Sequence, residues 1–236
     1  MILRKWEDLP PEMQNDAVKK YYDILNKKKA SLILKRAFDI TVSALMLLVL
    51  SPVFLLLAVL IKLDSEGPVF YRQVRVTSYN EDFRIFKFRT MVNNADKMGT
   101  LVTVSGDARV TRTGKVLRKF RLDELSQLID VFRGKMTFVG VRPEVRKYVD
   151  CYTPEMYATL LLPAGVTSLT SILYKDENEL LDVAENPDEV YINEILPDKM
   201  HYNLRGIEEF SFFGDIKIMF MTFFAMLGKD YTEEKE

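Results

Sequence analysis

The longest apolar segment of the sequence runs from residue 40 to residue 61 without a charged side chain. About 20 apolar residues are enough to cross a bilayer as a helix, so the length alone favours a transmembrane helix. Ser51-Pro52 lies near the middle of the segment. A proline at that place kinks or breaks a helix, because it removes a backbone donor and clashes with the preceding turn.

Basic residues flank this apolar segment on both sides. They are Lys27, Lys28, Lys29, Lys35 and Arg36 before it, and Lys62, Arg72 and Arg75 after it. The positive-inside rule places both ends in the cytoplasm, and each half of a helix broken at Pro52 is only roughly 15 Å long. The pattern therefore predicts a re-entrant helix. A kinked helix that spans the bilayer and a buried core helix of a soluble protein are the alternatives.

The periodicity changes on either side of the apolar segment. Residues 12–26 are predicted to form a helix in a charged lead-in that lacks the apolar core of a signal peptide. Two short strands are predicted at 69–71 and 83–88, with a polar turn at 79–82 between them. The basic stretch 109–121 interleaves Val116, Leu117 and Phe120, which fits either an interfacial helix or an ordinary solvated amphipathic helix.

Helical patterns continue toward the C-terminus. A helix is predicted from 125 to 132, ending at Gly134, and a shorter one from 154 to 162. The aromatic stretch 207–227 is predicted to be a surface-lying or core-packed helix and not a second span. The predicted architecture is a helix-rich α/β fold with a small sheet, in a single membrane-associated domain. It divides into a lead-in (1–30), the re-entrant helix with its flanks (31–66) and a catalytic region (67–236).

Composition narrows the chemistry that this chain can perform. The 236 residues carry a net charge of -1, so no bulk basic field exists for nucleic acid. Cys151 is the only cysteine and His201 the only histidine. These counts exclude an intramolecular disulfide framework and a cysteine-rich zinc site, and they argue against a Ser-His-Asp triad. If the chain is an enzyme, carboxylates must therefore do the acid-base or nucleophilic work.

Three polar clusters are candidates for that chemistry. Lys87 and Arg89 alternate along a predicted strand, where they face one side and can hold a diphosphate; a strand edge with exposed basic residues is the plain alternative. Arg142 and Pro143 follow a glycine in what is either a shaped loop or an ordinary turn.

The third cluster is the acidic pair Asp123-Glu124, which follows a basic stretch. Lys119 and Asp123 are four residues apart, and Arg121 and Glu124 are three apart, so both pairs can meet on a helix. The pair is either part of an ion-paired surface or an anionic nucleophile held among cations beside a Mg²⁺ site.

The order of these clusters resembles the monotopic polyprenyl-phosphate phosphoglycosyl transferases, the bacterial sugar transferases that begin glycan assembly. The signature Lys87-Phe88-Arg89-Thr90-Met91 and the dyad within Leu122-Asp123-Glu124-Leu125 carry the resemblance. Further matching segments are 35–39, 51–52, 67–70, 73–75, 107–112, 114, 117–118, 139–143 and 163–167, with a looser similarity at 210–220.

The resemblance implies a reaction and a role for each matching residue. Asp123 would attack the β-phosphorus of a UDP-sugar, release UMP and hold the phosphosugar covalently until polyprenyl phosphate accepts it. Glu124 would assist with the proton or the metal in the second half of the reaction, and Mg²⁺ would be held at this dyad. The residues that would contact the substrate are Lys87, Arg89, Arg118, Arg142 and Pro143.

The family also implies a location and a set of partners. The chain would lie at the cytoplasmic face of the bacterial inner membrane, in contact with membrane lipid, and nucleic acid would not be a partner. The sugar and the assembly state stay open, with a homodimer among the alternatives. A catalytically silent membrane scaffold for glycan enzymes is the competing function, and the intact dyad argues against it.

Several positions depart from the family pattern. Thr77 and Asn80 stand where the family has glycines, and threonine tolerates the left-handed conformation poorly. Val141 and Ser126 replace family prolines, and residues 164–168 differ from the family's Pro-Gly-Ile-Thr-Gly. A changed turn near Thr77 and a reshaped substrate pocket are therefore expected, while every residue implied in catalysis is retained.

Overall fold

The structure is a computed structural model that describes residues 3–95, 107–174 and 186–231. The helices are α1 (Asp16–Lys27), α2 (Lys29–Val49), α3 (Ser51–Asp64), α4 (Arg112–Lys119), α5 (Gln127–Arg133), α6 (Arg146–Val149), α7 (Leu169–Leu173), α8 (Pro187–Val190), α9 (Leu196–Glu208) and α10 (Phe212–Met226). The strands are β1 (Phe70–Val76), β2 (Asp82–Phe88), β3 (Met136–Val139) and β4 (Ala164–Thr167). They form two two-stranded sheets, β1-β2 and β3-β4. The predicted helix-rich fold with little sheet is confirmed for these residues.

Helices α2 and α3 form a bent pair. The break falls at Leu50, and Pro52 occupies the first turn of α3, where its missing N–H costs no hydrogen bond. The helices meet at a bend of 61°. Leu48 is 73% exposed and Leu63 81% exposed, so the pair turns much apolar surface outward. The predicted break is confirmed, and membrane association stays a prediction.

The described residues contain no single helix of sufficient length and apolarity to cross a bilayer. Helices α2 and α3 meet that requirement only when they are taken together across their bend.

Buried polar contacts fix α2 to the rest of the chain. Asp39 accepts hydrogen bonds from the Thr137 hydroxyl at 2.8 Å and from the Phe138 amide at 3.2 Å. Lys35 donates to the Val139 carbonyl and to the Asp215 carboxylate, both at 2.6 Å. Asp39 and Lys35 are almost fully buried. Because these bonds end on β3 and α10, the orientation of α2 relative to the sheets is determined by charge as well as by packing.

The two predicted strands pair as an antiparallel hairpin, with Tyr71 opposite Lys87 and Arg75 opposite Phe83. The first strand is longer than the predicted 69–71, because β1 continues to Val76. In the turn between them Thr77 is extended, with φ of -127°, and the left-handed residues are Tyr79 and Asn80. Thr77 is therefore not strained, and a change of this turn relative to the family stays a prediction.

Strands β3 and β4 are parallel, and two glycines meet beside their ends. A Cβ on Gly165 would lie 2.1 Å from the Gly140 carbonyl oxygen, so only glycine fits there. Gly140 donates to the Thr167 carbonyl at 2.9 Å, and Gly165 donates to the Val141 carbonyl at 2.8 Å. These contacts fix the beginning of the loop that carries Arg142.

The helices between residues 109 and 134 are shorter and more interrupted than predicted. Helix α4 covers only part of the predicted 109–121 helix, with Val116 and Phe120 exposed and Leu117 buried. A short 3-10 helix (Leu122–Ser126) then leads into α5. Helix α5 ends at Gly134, which adopts the predicted left-handed cap.

Two predicted C-terminal helices are corrected. The segment 154–162 contains a 3-10 helix (Met156–Leu161) and no α-helix. The stretch 207–227 is not one helix, because α9 ends at Glu208 and α10 begins at Phe212. Ser211 caps α10 by accepting the Gly214 amide, which accounts for the interruption.

The N-terminal lead-in packs against the catalytic region. Helix α1 begins at an Asn15 cap and buries Val18 and Leu25. These side chains join Leu161 and Met200 in one hydrophobic cluster. The division at residue 30 stays a prediction, and residues 1–2, 96–106, 175–185 and 232–236 of the predicted regions lie outside the described residues.

Candidate active site

The acidic pair lies on a sharp turn between α4 and α5. Helix α4 ends at Lys119, and Arg121 adopts a left-handed conformation with φ of 52°. This turn starts the short 3-10 helix that carries Asp123 and Glu124. The predicted helical spacing of these carboxylates from Lys119 and Arg121 is therefore wrong, because the backbone is not a continuous α-helix there. A non-glycine residue held in this region costs about 1–3 kcal/mol, and such residues cluster at functional sites.

Glu124 is paired with two cations from other elements. Its Oε1 accepts from Arg142 Nη2 at 2.8 Å and from Lys87 Nζ at 3.2 Å. Burial opposes ionisation of this carboxyl, but the charges and hydrogen bonds of Arg142 and Lys87 outweigh it and hold its pKa well below the ordinary value. Glu124 is consequently a fixed anion at neutral pH.

Asp123 has a different electrostatic environment from its neighbour. Burial raises the pKa of its carboxyl, and the negative charge of Glu124 raises it further. Lys87 and Arg118 act in the opposite direction. Two adjacent carboxyls whose pKa values are shifted in opposite directions can take different roles in one reaction. The partly buried Asp123 suits a nucleophile, and Glu124 suits an electrostatic partner that holds Arg142 and Lys87 in place.

Thr90 orients Arg118 beside the dyad. The Arg118 Nε donates to Thr90 Oγ1 at 2.9 Å. Thr90 is the second residue after β2, and its carbonyl lies against Gly114 of α4, where a Cβ would approach to 2.0 Å. The glycine therefore allows α4 to lie close enough to β2 for this hydrogen bond to form.

Arg89 is not brought together with Lys87. Its guanidinium donates to the carbonyls of Glu66 at 2.8 Å and Ser65 at 2.7 Å, at the end of α3. The residue is only 5% exposed, and burial lowers the pKa of its guanidinium. The two residues diverge because Arg89 lies beyond the last residue of β2, Phe88, where strand alternation no longer determines side-chain direction.

Arg75 is a site residue that the sequence reasoning left out of the candidate set. Its guanidinium donates to the Pro143 carbonyl at 3.2 Å, and the Gln73 side chain accepts from it at 2.9 Å. Burial lowers its pKa, and the charge of Arg142 contributes. The sequence feature that could have identified Arg75 is the alternation of polar residues at 73 and 75, on the hairpin face that carries Lys87.

Pro143 contributes its backbone carbonyl to this contact with Arg75. The structure thus brings together Asp123, Glu124, Lys87, Arg118 and Arg142, with Arg75 and Pro143 behind them. It places Arg89 elsewhere. The result is an acidic dyad flanked by three cations, Lys87, Arg118 and Arg142, which suits an anionic substrate bearing phosphate groups.

The dyad is compatible with a Mg²⁺ ion bound partly by substrate. Within 3–95, 107–174 and 186–231 no three Asp, Glu, His or Cys side chains are grouped to hold a metal. Mg²⁺ commonly takes only one or two carboxylates and completes its shell with water and phosphate oxygens. Asp123 and Glu124 supply two adjacent carboxylates, so they fit a metal that is completed by a diphosphate.

The cation-flanked dyad suits a ligand that bears phosphate groups. A sequence profile described as bacterial sugar transferase matches residues 30–229 of the chain. The chain therefore belongs to the bacterial sugar transferase family, as the sequence motifs indicated.

Several curated relatives have names that describe their substrates. A UDP-N-acetylgalactosamine-undecaprenyl-phosphate N-acetylgalactosaminephosphotransferase of Aeromonas hydrophila is 37% identical over 82% of this chain and 44% of its own length. A UDP-glucose:undecaprenyl-phosphate glucose-1-phosphate transferase of Escherichia coli is 36% identical over 81% of this chain and 40% of its own length. The chain thus spans less than half of these two relatives.

A third relative is closer in length to this chain. The uncharacterized sugar transferase EpsL of Bacillus subtilis is 30% identical over 81% of this chain and 86% of its own length. The matched region of the chain is therefore also found in a short family member.

Proposed function

We propose that this protein transfers a phosphosugar from a UDP-sugar to undecaprenyl phosphate or a similar polyprenyl phosphate and releases UMP. The observation that carries the proposal is the partly buried Asp123-Glu124 dyad with Lys87, Arg118 and Arg142 around it. Relatives named for UDP-sugar and undecaprenyl phosphate support the same reaction. The reaction would be the first membrane step of glycan assembly.

In the first half of the proposed reaction, an Asp123 carboxylate oxygen attacks the β-phosphorus of the UDP-sugar. The bond from that phosphorus to the bridging oxygen breaks, and UMP leaves with the bond electrons. The product is an acyl phosphate between Asp123 and the sugar phosphate. Lys87, Arg118 and Arg142 stabilise the negative charge that develops on the phosphate oxygens.

In the second half, an oxygen of polyprenyl phosphate attacks the same phosphorus and the bond to Asp123 breaks. The lipid diphosphate sugar forms and the carboxylate is regenerated. A monoanionic lipid phosphate would lose its proton to water in this step, because Glu124 is held as a weakly basic anion by Arg142 and Lys87. A Mg²⁺ ion, when bound by the dyad, would neutralise diphosphate charge that otherwise repels the carboxylates.

Intact-protein mass spectrometry after mixing with a UDP-sugar alone tests the covalent step. We expect a phosphosugar adduct on the Asp123 peptide and release of UMP before any lipid acceptor is added. Asp123→Asn preserves the size of the side chain and should abolish the adduct and turnover. Asp150→Asn, at an exposed carboxyl after α6, is the matched control. Near-normal turnover in Asp123→Asn would exclude the covalent mechanism.

The same experiment separates the enzyme from the competing scaffold hypothesis. A silent scaffold would release no UMP with any UDP-sugar in a panel, even when polyprenyl phosphate is present. The panel would also identify the sugar, about which no contact of the described residues is informative.

We further propose that α2 and α3 form a re-entrant hairpin on the cytoplasmic side of the bacterial inner membrane. The exposed apolar side chains of this pair and its bend support the proposal. Exposed Val116 of α4, Phe120 directly after it, and Phe213 and Phe223 of α10 would lie at the same interface.

Cysteine labelling in intact cells tests this arrangement. Single cysteines at Ala30 and Glu66, in a chain with Cys151 replaced, should react only from the cytoplasmic side. If one of the two positions reacts only from the periplasm, the helix pair crosses the membrane and the re-entrant proposal is wrong.

A further inference from the structure

A buried ionic cluster lies behind the loop that carries Arg142. The hydroxyl of Tyr191 donates to Glu144 Oε1 at 2.6 Å. Lys199 Nζ donates to the Tyr191 hydroxyl at 3.1 Å and lies 3.6 Å from Glu144 Oε1. Glu144 is 8% exposed, Tyr191 4% and Lys199 7%.

The cluster is joined to the dyad through the backbone of one short loop. Glu144 directly follows Pro143, whose carbonyl accepts from Arg75 at 3.2 Å. The Glu144 carbonyl accepts from the Val76 amide at 2.9 Å. Strand β1 thus holds one side of the loop through its backbone. The Glu144 side chain holds the other side by reaching into α9 and the turn before it.

Arg142 is the residue whose position this double attachment determines. Two residues before Glu144, it donates to Glu124 Oε1 at 2.8 Å. Its side chain is long and partly exposed, so its direction depends on where the loop backbone is held. A displacement of about 1 Å in a catalytic contact can cost on the order of a hundredfold in rate.

The local backbone supports a role beyond packing. Tyr191 begins a π-helical turn, Tyr191–Ile195, that interrupts the helices α8 and α9. Such turns are rare and occur frequently at functional sites. A buried ion pair is also weak support for stability, because the loss of hydration opposes the attraction between the charges. A role in placing the loop that carries Arg142 accounts for both the π-helical turn and the buried ion pair.

We propose that Glu144, held by Tyr191 and Lys199, is a positioning residue that aims Arg142 at Glu124 and at the substrate phosphate. This proposal rests on the proposed transferase function. It predicts that removal of the Tyr191 hydroxyl loosens residues 141–145 without unfolding the chain. The hydrophobic contacts of the Tyr191 ring would be retained in Tyr191→Phe.

Hydrogen exchange tests the positioning directly and requires no activity. The Val76 amide is bonded to the Glu144 carbonyl, and the Gly165 amide to the Val141 carbonyl. In Tyr191→Phe we expect the Val76 amide to exchange about tenfold faster, the size of effect of a lost hydrogen bond to a charged group. The Phe138 amide, bonded to Asp39, should be unchanged. Unchanged exchange at Val76 would overturn the proposal.

Tyr148→Phe is the matched control. The rings of Tyr148 and Tyr191 lie 4.4 Å apart, but the Tyr148 hydroxyl donates to Asp188 and not to Glu144. Loss of that hydroxyl should leave exchange at Val76 and UMP release unchanged. An equal effect of both substitutions would show a general loss of packing and would overturn the proposal.

A double-mutant cycle tests the connection to Arg142. Tyr191→Phe alone should lower kcat/KM for UMP release about tenfold, yet it should cost less than about twofold in an Arg142→Ala background, since contacting residues in one network are non-additive. Fully additive losses would overturn the proposal. If the wild-type protein releases no UMP from any UDP-sugar, the proposed function fails, and the hydrogen-exchange result still decides whether Glu144 positions the loop.

Discussion

Substitution of Arg89 by alanine is expected to destabilise the protein and to leave substrate binding little changed. The side chain closes the C-terminal end of α3, where the last carbonyls of a helix lack partners within the helix. It donates to the Glu66 and Ser65 carbonyls and to the Ser65 hydroxyl at distances of 2.7–3.0 Å. Its sequence neighbour Lys87 instead contacts Glu124 in the dyad.

The magnitude follows from the number and burial of these contacts. Hydrogen bonds that involve a charged group contribute about 1.5–3 kcal/mol each. Two short bonds to carbonyls would therefore give about 3–6 kcal/mol if they added fully. Alanine also removes the desolvation cost of the buried guanidinium, which offsets part of the stability lost with the two hydrogen bonds. We expect a net loss of about 2–4 kcal/mol in the free energy of unfolding.

Chemical unfolding in detergent micelles measures this loss, and the KM for the UDP-sugar is measured in parallel. Arg84→Ala, at an exposed position of the same strand, is the control and should change stability by less than about 0.5 kcal/mol. A stable Arg89→Ala protein with a strongly raised KM would refute this reasoning. It would also restore the substrate-binding role that the sequence suggested.

Two further predictions concern the dyad. Arg142→Ala should lower kcat/KM for UMP release about ten- to a hundredfold, the equivalent of about 1.5–3 kcal/mol. Folding should be unchanged, because Lys87 still pairs with Glu124. An unchanged kcat/KM would show that Arg142 is only a turn residue. In Glu124→Gln the acid limb of first-step UMP release should move to lower pH. The pKa of Asp123 is raised by burial and then by the charge of Glu124, so removal of that charge leaves Asp123 ionised at lower pH. A limb that stays in place or moves to higher pH would contradict this assignment.

The elements that were predicted correctly from the sequence are those determined by a few neighbouring residues. Pro52 after Ser51 predicted the break between α2 and α3, because the missing amide acts within one turn. The short run of apolar and aromatic residues from 83 to 88 predicted β2, and Phe83, Ile85 and Phe88 within it are buried. Gly134 predicted the end of α5 because its left-handed cap favours glycine. Each of these signals is contained in a few consecutive residues.

The parts that were not predicted depend on contacts between distant segments. Glu144 and Tyr191 are 47 positions apart, and Arg75 meets Pro143 across 68 positions. No local spacing encodes either contact. Thr77 is held by distant contacts of the same kind. Its hydroxyl donates to the Lys135 carbonyl and accepts from the Ala164 amide, so tertiary contacts hold it extended while the left-handed residues fall at Tyr79 and Asn80.

Three residues at the end of β2 connect the dyad to the helix hairpin. Lys87 contacts Glu124, Arg89 closes the end of α3, and Thr90 holds Arg118. A separate hydrogen bond also joins α4 to α3, because the Thr113 amide of α4 donates to Asp64, the last residue of α3, at 2.8 Å. Two sets of contacts therefore fix the distance between the end of α3 and the dyad, one from the residues at the end of β2 and one from α4. If α3 leaves the bilayer at Asp64, as the re-entrant proposal requires, these contacts hold the nucleophile near the depth at which a polyprenyl phosphate presents its headgroup. Arg89 then contributes to the transfer by setting the height of the active site, without touching either substrate.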